Sequence, residues 1–171
     1  MKNYDFLILG SNGLLGSNLV NQLKKNKLTF FTIAKSKSNH NVDLRNFEKL
    51  EDFFFNHKFK IVINCAAKVN IDYCEKKFKH AKLINYELVK FLSKMSKKFR
   101  FKFVQISTDH VYRGQKLKLN KEQSKIFAIN KYAKTKILAE KSVKNLQKFL
   151  IIRTNFTGKK YKSFIDFLIK N

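Results

Sequence analysis

Proline and tryptophan are absent from this sequence, glycine occurs five times and cysteine twice, and 12 acidic residues face 37 basic ones. With no proline and so little glycine, no linker divides the chain. Its 171 residues read as one domain, 1–171, long enough to bury a real core. Cys65 and Cys74 lack metal-motif spacing, so no metal site is expected, and both read as reduced thiols of a cytoplasmic protein. No apolar run reaches the roughly 18 to 20 residues of a membrane span. The opening Met1-Lys2-Asn3-Tyr4-Asp5 leads directly into an apolar strand, not into a signal-peptide core with a small-residue cleavage site.

The shortage of acids leaves a net charge of +25, and charge of that sign by itself attracts phosphate backbones. The lysines are spread along the whole chain, however, and only four of the 37 basic residues are arginine. No nucleic-acid motif accompanies them, so nucleic acid is not the expected partner.

What is present is apolar and regularly punctuated. Hydrophobic residues make up 44% of the chain, with 18 phenylalanines, enough to fill a folded core. Tyr4 to Leu9, Leu28 to Ala34, Lys60 to Asn64, Phe101 to Ser107 and Phe149 to Arg153 read as strands, with a short one near Val42. Helical spacing is expected over Leu14 to Lys25, Phe47 to Phe55, Phe78 to Lys98 and Asn130 to Val143, with a last helix from Phe164 to Ile169. The alternation predicts an α/β fold, a Rossmann-like doubly wound parallel sheet flanked by helices. Tyr112 to Phe127 reads as a loop, and loops this long at strand ends are often functional.

Three of the five glycines fall in Gly10-Ser11-Asn12-Gly13-Leu14-Leu15-Gly16, between the first strand and the first helix. Gly10 suits the tight turn, Gly13 a close backbone approach to a pyrophosphate, and Gly16 the packing of helix on strand. The helix N-terminus beyond them presents free N–H groups and a positive dipole end to phosphates. After the second strand, where an acid would bind the ribose 2′-hydroxyl of NAD, the sequence reads Ile33-Ala34-Lys35-Ser36-Lys37-Ser38. Lys35 and Lys37 suit a 2′-phosphate, so NADP is expected as cofactor, with NAD the alternative if they are ordinary surface charge.

Tyr132 and Lys136 are spaced to share one helical face, where an ammonium near the phenol oxygen would favour the phenolate and support proton transfer to or from an alcohol or ketone. Thr108 and Asp109 follow the strand that ends at Ser107, at the sheet edge where such folds bind ligands; a strand-ending turn or helix cap is the plainer role. His110 beside them suits either an acid–base role or packing.

In this order the motifs resemble the extended short-chain dehydrogenase/reductases, and within them the dTDP-4-dehydrorhamnose reductases. The resemblance runs through Val42-Asp43-Leu44, Val62-Ile63-Asn64-Cys65-Ala66-Ala67, Ile71-Asp72, Glu75, Asn85, Ile106-Ser107-Thr108-Asp109, Tyr132 to Lys136, Glu140 and Ile151-Ile152-Arg153-Thr154. It implies hydride delivery from NADPH to the 4-keto carbon of a nucleotide-linked deoxysugar, in deoxysugar and surface polysaccharide synthesis. Tyr132 would protonate the developing alkoxide, and Lys136 would lower the tyrosine pKa and hold the nicotinamide ribose. Thr108 would bind the substrate oxygen, Asp109 would border the sugar, Asp43 and Leu44 would contact adenine, and Ala66, Ala67 and Lys68 would line the cofactor cleft. The resemblance further implies that residues 1–171 form the cofactor-binding portion. The substrate pocket would be completed by a further C-terminal portion or a partner chain, with Phe156, Phe164, Phe167 and Leu168 forming an apolar contact face and self-association expected. A non-catalytic nucleotide-binding module and a sugar-nucleotide epimerase or dehydratase are the alternatives on the same scaffold.

Overall fold

The computed structural model describes residues 2–114 and 119–155; the expected helix from Phe164 to Ile169 and the apolar contact face at Phe156, Phe164, Phe167 and Leu168 lie outside them. Six parallel strands form one sheet in the order β3-β2-β1-β4-β5-β6, the doubly wound arrangement expected. They are β1 (Lys2–Leu9), β2 (Phe30–Ala34), β3 (His40–Asn41), β4 (His57–Asn64), β5 (Lys102–Ser107) and β6 (Phe149–Arg153). The helices are α1 (Leu14–Lys25), α2 (Phe47–Asn56), α3 (Ile71–Lys76), α4 (Phe78–Lys82), α5 (Leu88–Phe99) and α6 (Lys131–Val143). Strand order reverses between β1 and β4, which places the glycine turn after β1 and the Ala66 loop after β4 on either side of the switch point, where ligands of such sheets bind.

Alternation on β1 shows why both faces of the sheet are covered. Leu7 and Leu9 join the main core while Ile8 points the other way, and all three are fully buried. The main core sets these strands against Leu50, Phe53 and Phe54 of α2, Leu88, Leu92 and Met95 of α5, and Ala139 and Val143 of α6. Each of the Val, Leu, Met and Phe side chains contributes about 1.5 to 3 kcal/mol on burial. Phenylalanine does much of the filling: the ring of Phe47 stacks on Phe91 at 5.1 Å and that of Phe54 on Phe101 at 5.5 Å. The outer strand β6 is less covered, with Phe149, Leu150 and Ile152 at 37%, 45% and 37% exposed.

Several expected boundaries differ, β4 for instance starting at His57 and not Lys60, and three of the differences have a clear local reason. β2 starts at Phe30, not Leu28, because Thr29 is occupied by Asp5: its hydroxyl donates to Asp5 Oδ2 at 2.5 Å and its carbonyl accepts from the Asp5 and Phe6 amides. The short third strand lies at His40–Asn41, one step before Val42, whose amide donates to the Ala34 carbonyl at 2.9 Å. The helix expected from Phe78 to Lys98 has a π-helical turn at Leu83–Glu87 between α4 and α5, a feature that often marks a functional position.

Candidate active site

The glycine turn fits tightly against its surroundings. Gly10 has φ +76°, open to glycine without strain, and a Cβ there would sit 2.8 Å from the Ala66 backbone nitrogen. A Cβ on Gly16 would lie 2.3 Å from the Gly10 carbonyl oxygen. Gly13 has room within the protein, its nearest contact being Gly10 O at 3.4 Å, so space for a ligand is what would keep a side chain out. Gly13 caps α1 without a side-chain hydrogen bond, and no acid lies in the first turn, so the helix N-terminus faces outward with its positive end uncompensated. Beside it the Ser11 hydroxyl is buried without a hydrogen-bond partner among the described residues, an orphaned group of the kind a phosphate oxygen would satisfy.

A groove of about 460 Å³ opens next to this turn, lined among others by Ser11, Asn12, Lys24, Lys37, Ser38 and Asn39. Asn12 Nδ2 donates to the Ser36 carbonyl and joins the turn to the loop after β2. The two lysines of that loop go different ways. Lys37, held at φ 50°, lines the groove, whereas Lys35 is 70% exposed and pairs with Asp43 at 3.2 Å. Asp43 also takes a forked contact from Arg45, Nε to Oδ1 at 2.9 Å and Nη2 to Oδ2 at 2.5 Å, and these bonds hold its carboxyl well below the usual carboxylate range. The Leu44 side chain is buried in the core, so only its backbone is free to face a ligand.

Across the switch point, Asn64 Oδ1 accepts from the Ala66 amide at 3.1 Å and starts the Ala66-Ala67-Lys68 loop. Asn85 then clamps the loop. Its Oδ1 accepts from the Lys68 amide at 2.7 Å, and its Nδ2 donates to the Lys68 carbonyl at 2.9 Å and to Thr135 Oγ1 at 3.1 Å. Asn85 belongs to the π-helical turn, whose extra residue turns this side chain inward between the loop and α6. Its sequence signal was a single polar residue in an amphipathic helix, too little to assign a role.

Thr108, Tyr132 and Lys136 come together at the end of β5. Thr108 Oγ1 accepts from the His110 amide at 3.2 Å and so caps the turn at Asp109–Val111, and its side chain is close enough to the Tyr132 phenol to favour the phenolate. Thr108 Oγ1 lies 3.3 Å from Asp109 Oδ1. His110 packs its ring edge-on against Tyr132 at 6.0 Å, the packing role open to it. α6 is positioned by Asn130, whose Oδ1 accepts from the Ala133 amide at 2.7 Å, and the helix buries Tyr132 and Lys136 on its inner face.

The electrostatics differ from the simple expectation for this pair. Lys136 Nζ donates to the Ile106 carbonyl at 2.6 Å, and burial pulls its pKa down to about 8, with Glu140 opposing the shift. Burial likewise pushes the Tyr132 phenol above its ordinary value, only partly offset by the Thr108 side chain. Desolvation leads here, the charges of Cys74 and Asp109 act in the same direction, and the tyrosine holds its proton at neutral pH. The nearby Cys65 thiol is pushed up to about 12 by burial, so it too stays protonated. Among the described residues no cluster of potential metal ligands occurs and no helix is long and apolar enough to cross a membrane.

Comparison with known proteins agrees with this fold. The chain is 28% identical over 166 residues to the spore coat polysaccharide biosynthesis protein SpsK of Bacillus subtilis, covering 96% of this chain and 57% of that protein. It matches the crystal structure of a dTDP-4-dehydrorhamnose reductase from Clostridium acetobutylicum with a TM-score of 0.86 and 32% identity, over 99% of this chain and 59% of the other. The dTDP-4-dehydrorhamnose reductase from Bacillus anthracis, solved in complex with NADP, matches with a TM-score of 0.86 and 29% identity, over 99% and 60% of the two chains. The chain therefore spans a little over half the length of these relatives. A family model described as the RmlD substrate binding domain matches residues 4–171, and the chain belongs to that family.

Proposed function

We propose that this chain carries the cofactor site and the proton-transfer residues of an NADP-dependent reductase acting on a nucleotide-linked 4-keto-6-deoxy sugar, in deoxysugar and surface polysaccharide synthesis. The observation that carries the reading is the meeting of Thr108, Tyr132 and buried Lys136 at the end of β5, in the same sheet-edge region as a glycine turn with an orphaned Ser11 hydroxyl. The names of the relatives support the substrate class, and the NADP complex of the Bacillus anthracis protein supports the cofactor.

In this reading the α1 N-terminus and Ser11 take the pyrophosphate, and Lys37 faces the 2′-phosphate from the groove. Lys35, already paired with Asp43, contributes little. Asp43, the Leu44 backbone and the Ala66-Ala67-Lys68 loop border the adenosine and the cleft. Bound NADPH supplies the hydride. Thr108 holds the carbonyl oxygen, Asp109 borders the sugar, and Tyr132 gives its proton to that oxygen as negative charge develops. A phenol kept protonated by burial is the form this donation requires. Lys136, charged below about pH 8, offers its ammonium to the ribose and to the phenolate left behind. The exposed apolar side chains of β6 suit contact with a further portion or a second copy, so self-association is expected.

Product analysis tests the reaction class. Incubation with NADPH and dTDP-4-keto-6-deoxyglucose should yield a sugar reduced at C4. An epimerised or dehydrated product, or cofactor binding with no product, would replace this reading with one of the two alternatives on the scaffold.

A further inference from the structure

Behind the proposed proton-transfer residues lies a buried ion pair that the reaction does not itself use. Glu140 stands one helical turn beyond Lys136 on α6 and is 1% exposed. Its Oε1 accepts from Ser107 Oγ at 2.6 Å and from Arg153 Nε at 2.9 Å, and its Oε2 accepts from Arg153 Nη2 at 2.7 Å. Arg153, the last residue of β6, uses its remaining nitrogen outward: Nη1 donates to the Tyr112 hydroxyl at 2.7 Å and to the Glu122 carbonyl at 2.9 Å. The guanidinium also lies 5.2 Å from the centre of the Tyr112 ring. Tyr112 in turn forms a β-bridge with Ile126, and Phe127 N donates to the Val111 carbonyl at 2.8 Å, so Arg153 meets both arms of one loop base.

We infer that Glu140 and Arg153 are positioning residues which fasten the Lys136 turn of α6 and the Ser107–Thr108 end of β5 to the loop base at Tyr112 and Glu122. The ion pair is poorly explained by stability alone, since a buried pair is often no better than apolar residues of the same volume. Its placement is specific. The forked, two-point contact fixes direction as well as distance, Ser107 immediately precedes Thr108, and Glu140 is four residues from Lys136. The carboxylate also supplies the negative charge that opposes the loss of the Lys136 proton on burial. Burial by itself would raise the Glu140 carboxyl, but the bonds from Arg153 and Ser107 outweigh it and keep it ionised.

This inference rests on the reductase reading for its purpose, but its test does not require turnover. The titration of Lys136 is followed by NMR of lysine labelled with ¹³C at Cε, the resonance being assigned by its absence in Lys136→Arg. Glu140→Gln keeps the shape and removes the charge, and the Lys136 midpoint should fall by about one pH unit. A folded Glu140→Gln with the wild-type midpoint would overturn the inference. Where Glu140→Gln does not fold, Tyr112→Phe removes only the hydroxyl partner of Arg153. The amide resonances of Ser107 and Glu140, neither of which is hydrogen-bonded to Tyr112, should then shift, and unmoved resonances would equally overturn the inference. Failure of the reductase reading would show separately, as absence of reduced sugar while the Lys136 midpoint still falls in Glu140→Gln.

Discussion

Replacing Gly16 by alanine sets two effects of opposite sign against each other. Gly16 is the third residue of α1, where alanine is ordinarily the better helix former by about 0.5 to 1 kcal/mol. Here the added Cβ would lie 2.3 Å from the Gly10 carbonyl oxygen, 2.8 Å from Ser11 Cα and 3.0 Å from the Gly10 carbonyl carbon. All three are backbone atoms and no rotamer change relieves them, so either α1 or the turn must move. Overpacking of this kind costs about 1 to 3 kcal/mol, and more where backbone is the obstacle. We expect a net loss of about 2 kcal/mol, which lowers the melting temperature by roughly 4 to 8 °C in a domain of this size. Because the displaced atoms form the phosphate turn, NADPH binding should fall with it. Gly13→Ala is the matched control: its Cβ would meet only Gly10 O at 3.4 Å, so stability should fall only by the modest preference for glycine over alanine at an N-cap, while NADPH binding is lost to a side chain standing where the pyrophosphate approaches. Thermal unfolding by circular dichroism and NADPH fluorescence titration read both variants. A Gly16→Ala chain as stable as wild type, or a Gly13→Ala chain that binds NADPH normally, would refute the steric reasoning at that position.

Three further outcomes follow from the same geometry. Lys37→Ala should weaken NADPH binding about ten- to a hundredfold, the equivalent of one charge-assisted contact, while leaving NADH nearly unaffected. Lys35→Ala should change little because Asp43 already holds that side chain, and calorimetric titration of both cofactors separates the two. His40, stacked on Phe53 at 5.1 Å, has its pKa lowered by burial and by the charges of His57 and Lys49. The folded state therefore binds fewer protons than the unfolded one. Its contribution to stability is full above the ordinary value of 6.5 and fades as the pH falls below it, so urea midpoints should drop on acidification less in His40→Phe than in wild type. Asn85→Leu should cost about 1 to 3 kcal/mol, since it removes two bonds to the Lys68 backbone and one to the buried Thr135 hydroxyl, and chemical denaturation checks the value.

The legible part of the sequence was the part where pattern and physics coincide. α1 begins and ends at Leu14–Lys25 as read, because a glycine turn starts it and an apolar stripe runs its length. The parallel sheet followed from apolar strand runs separated by helices, and the shared buried face of Tyr132 and Lys136 on α6 from their spacing. What escaped depends on long-range partners. The short helix α3 owes its start to Asn70, whose side chain accepts from the Tyr73 amide at 2.7 Å, and no strong periodicity announces it. The π-helical turn and the inward Asn85 are set by contacts with residues far along the chain. The separate fates of Lys35 and Lys37 depend on Asp43, which local sequence does not bring near. The raised Tyr132 pKa is a matter of burial, and spacing alone suggested the opposite sign.

The most direct test of the proposed reaction follows NADPH absorbance in the presence of dTDP-4-keto-6-deoxyglucose for the wild-type chain and for Tyr132→Phe. Measurable oxidation by wild type, reduced by about a hundredfold or more when the phenol proton donor is removed, is the expected result. Oxidation unaffected by Tyr132→Phe would contradict the assignment of this site as a reductase.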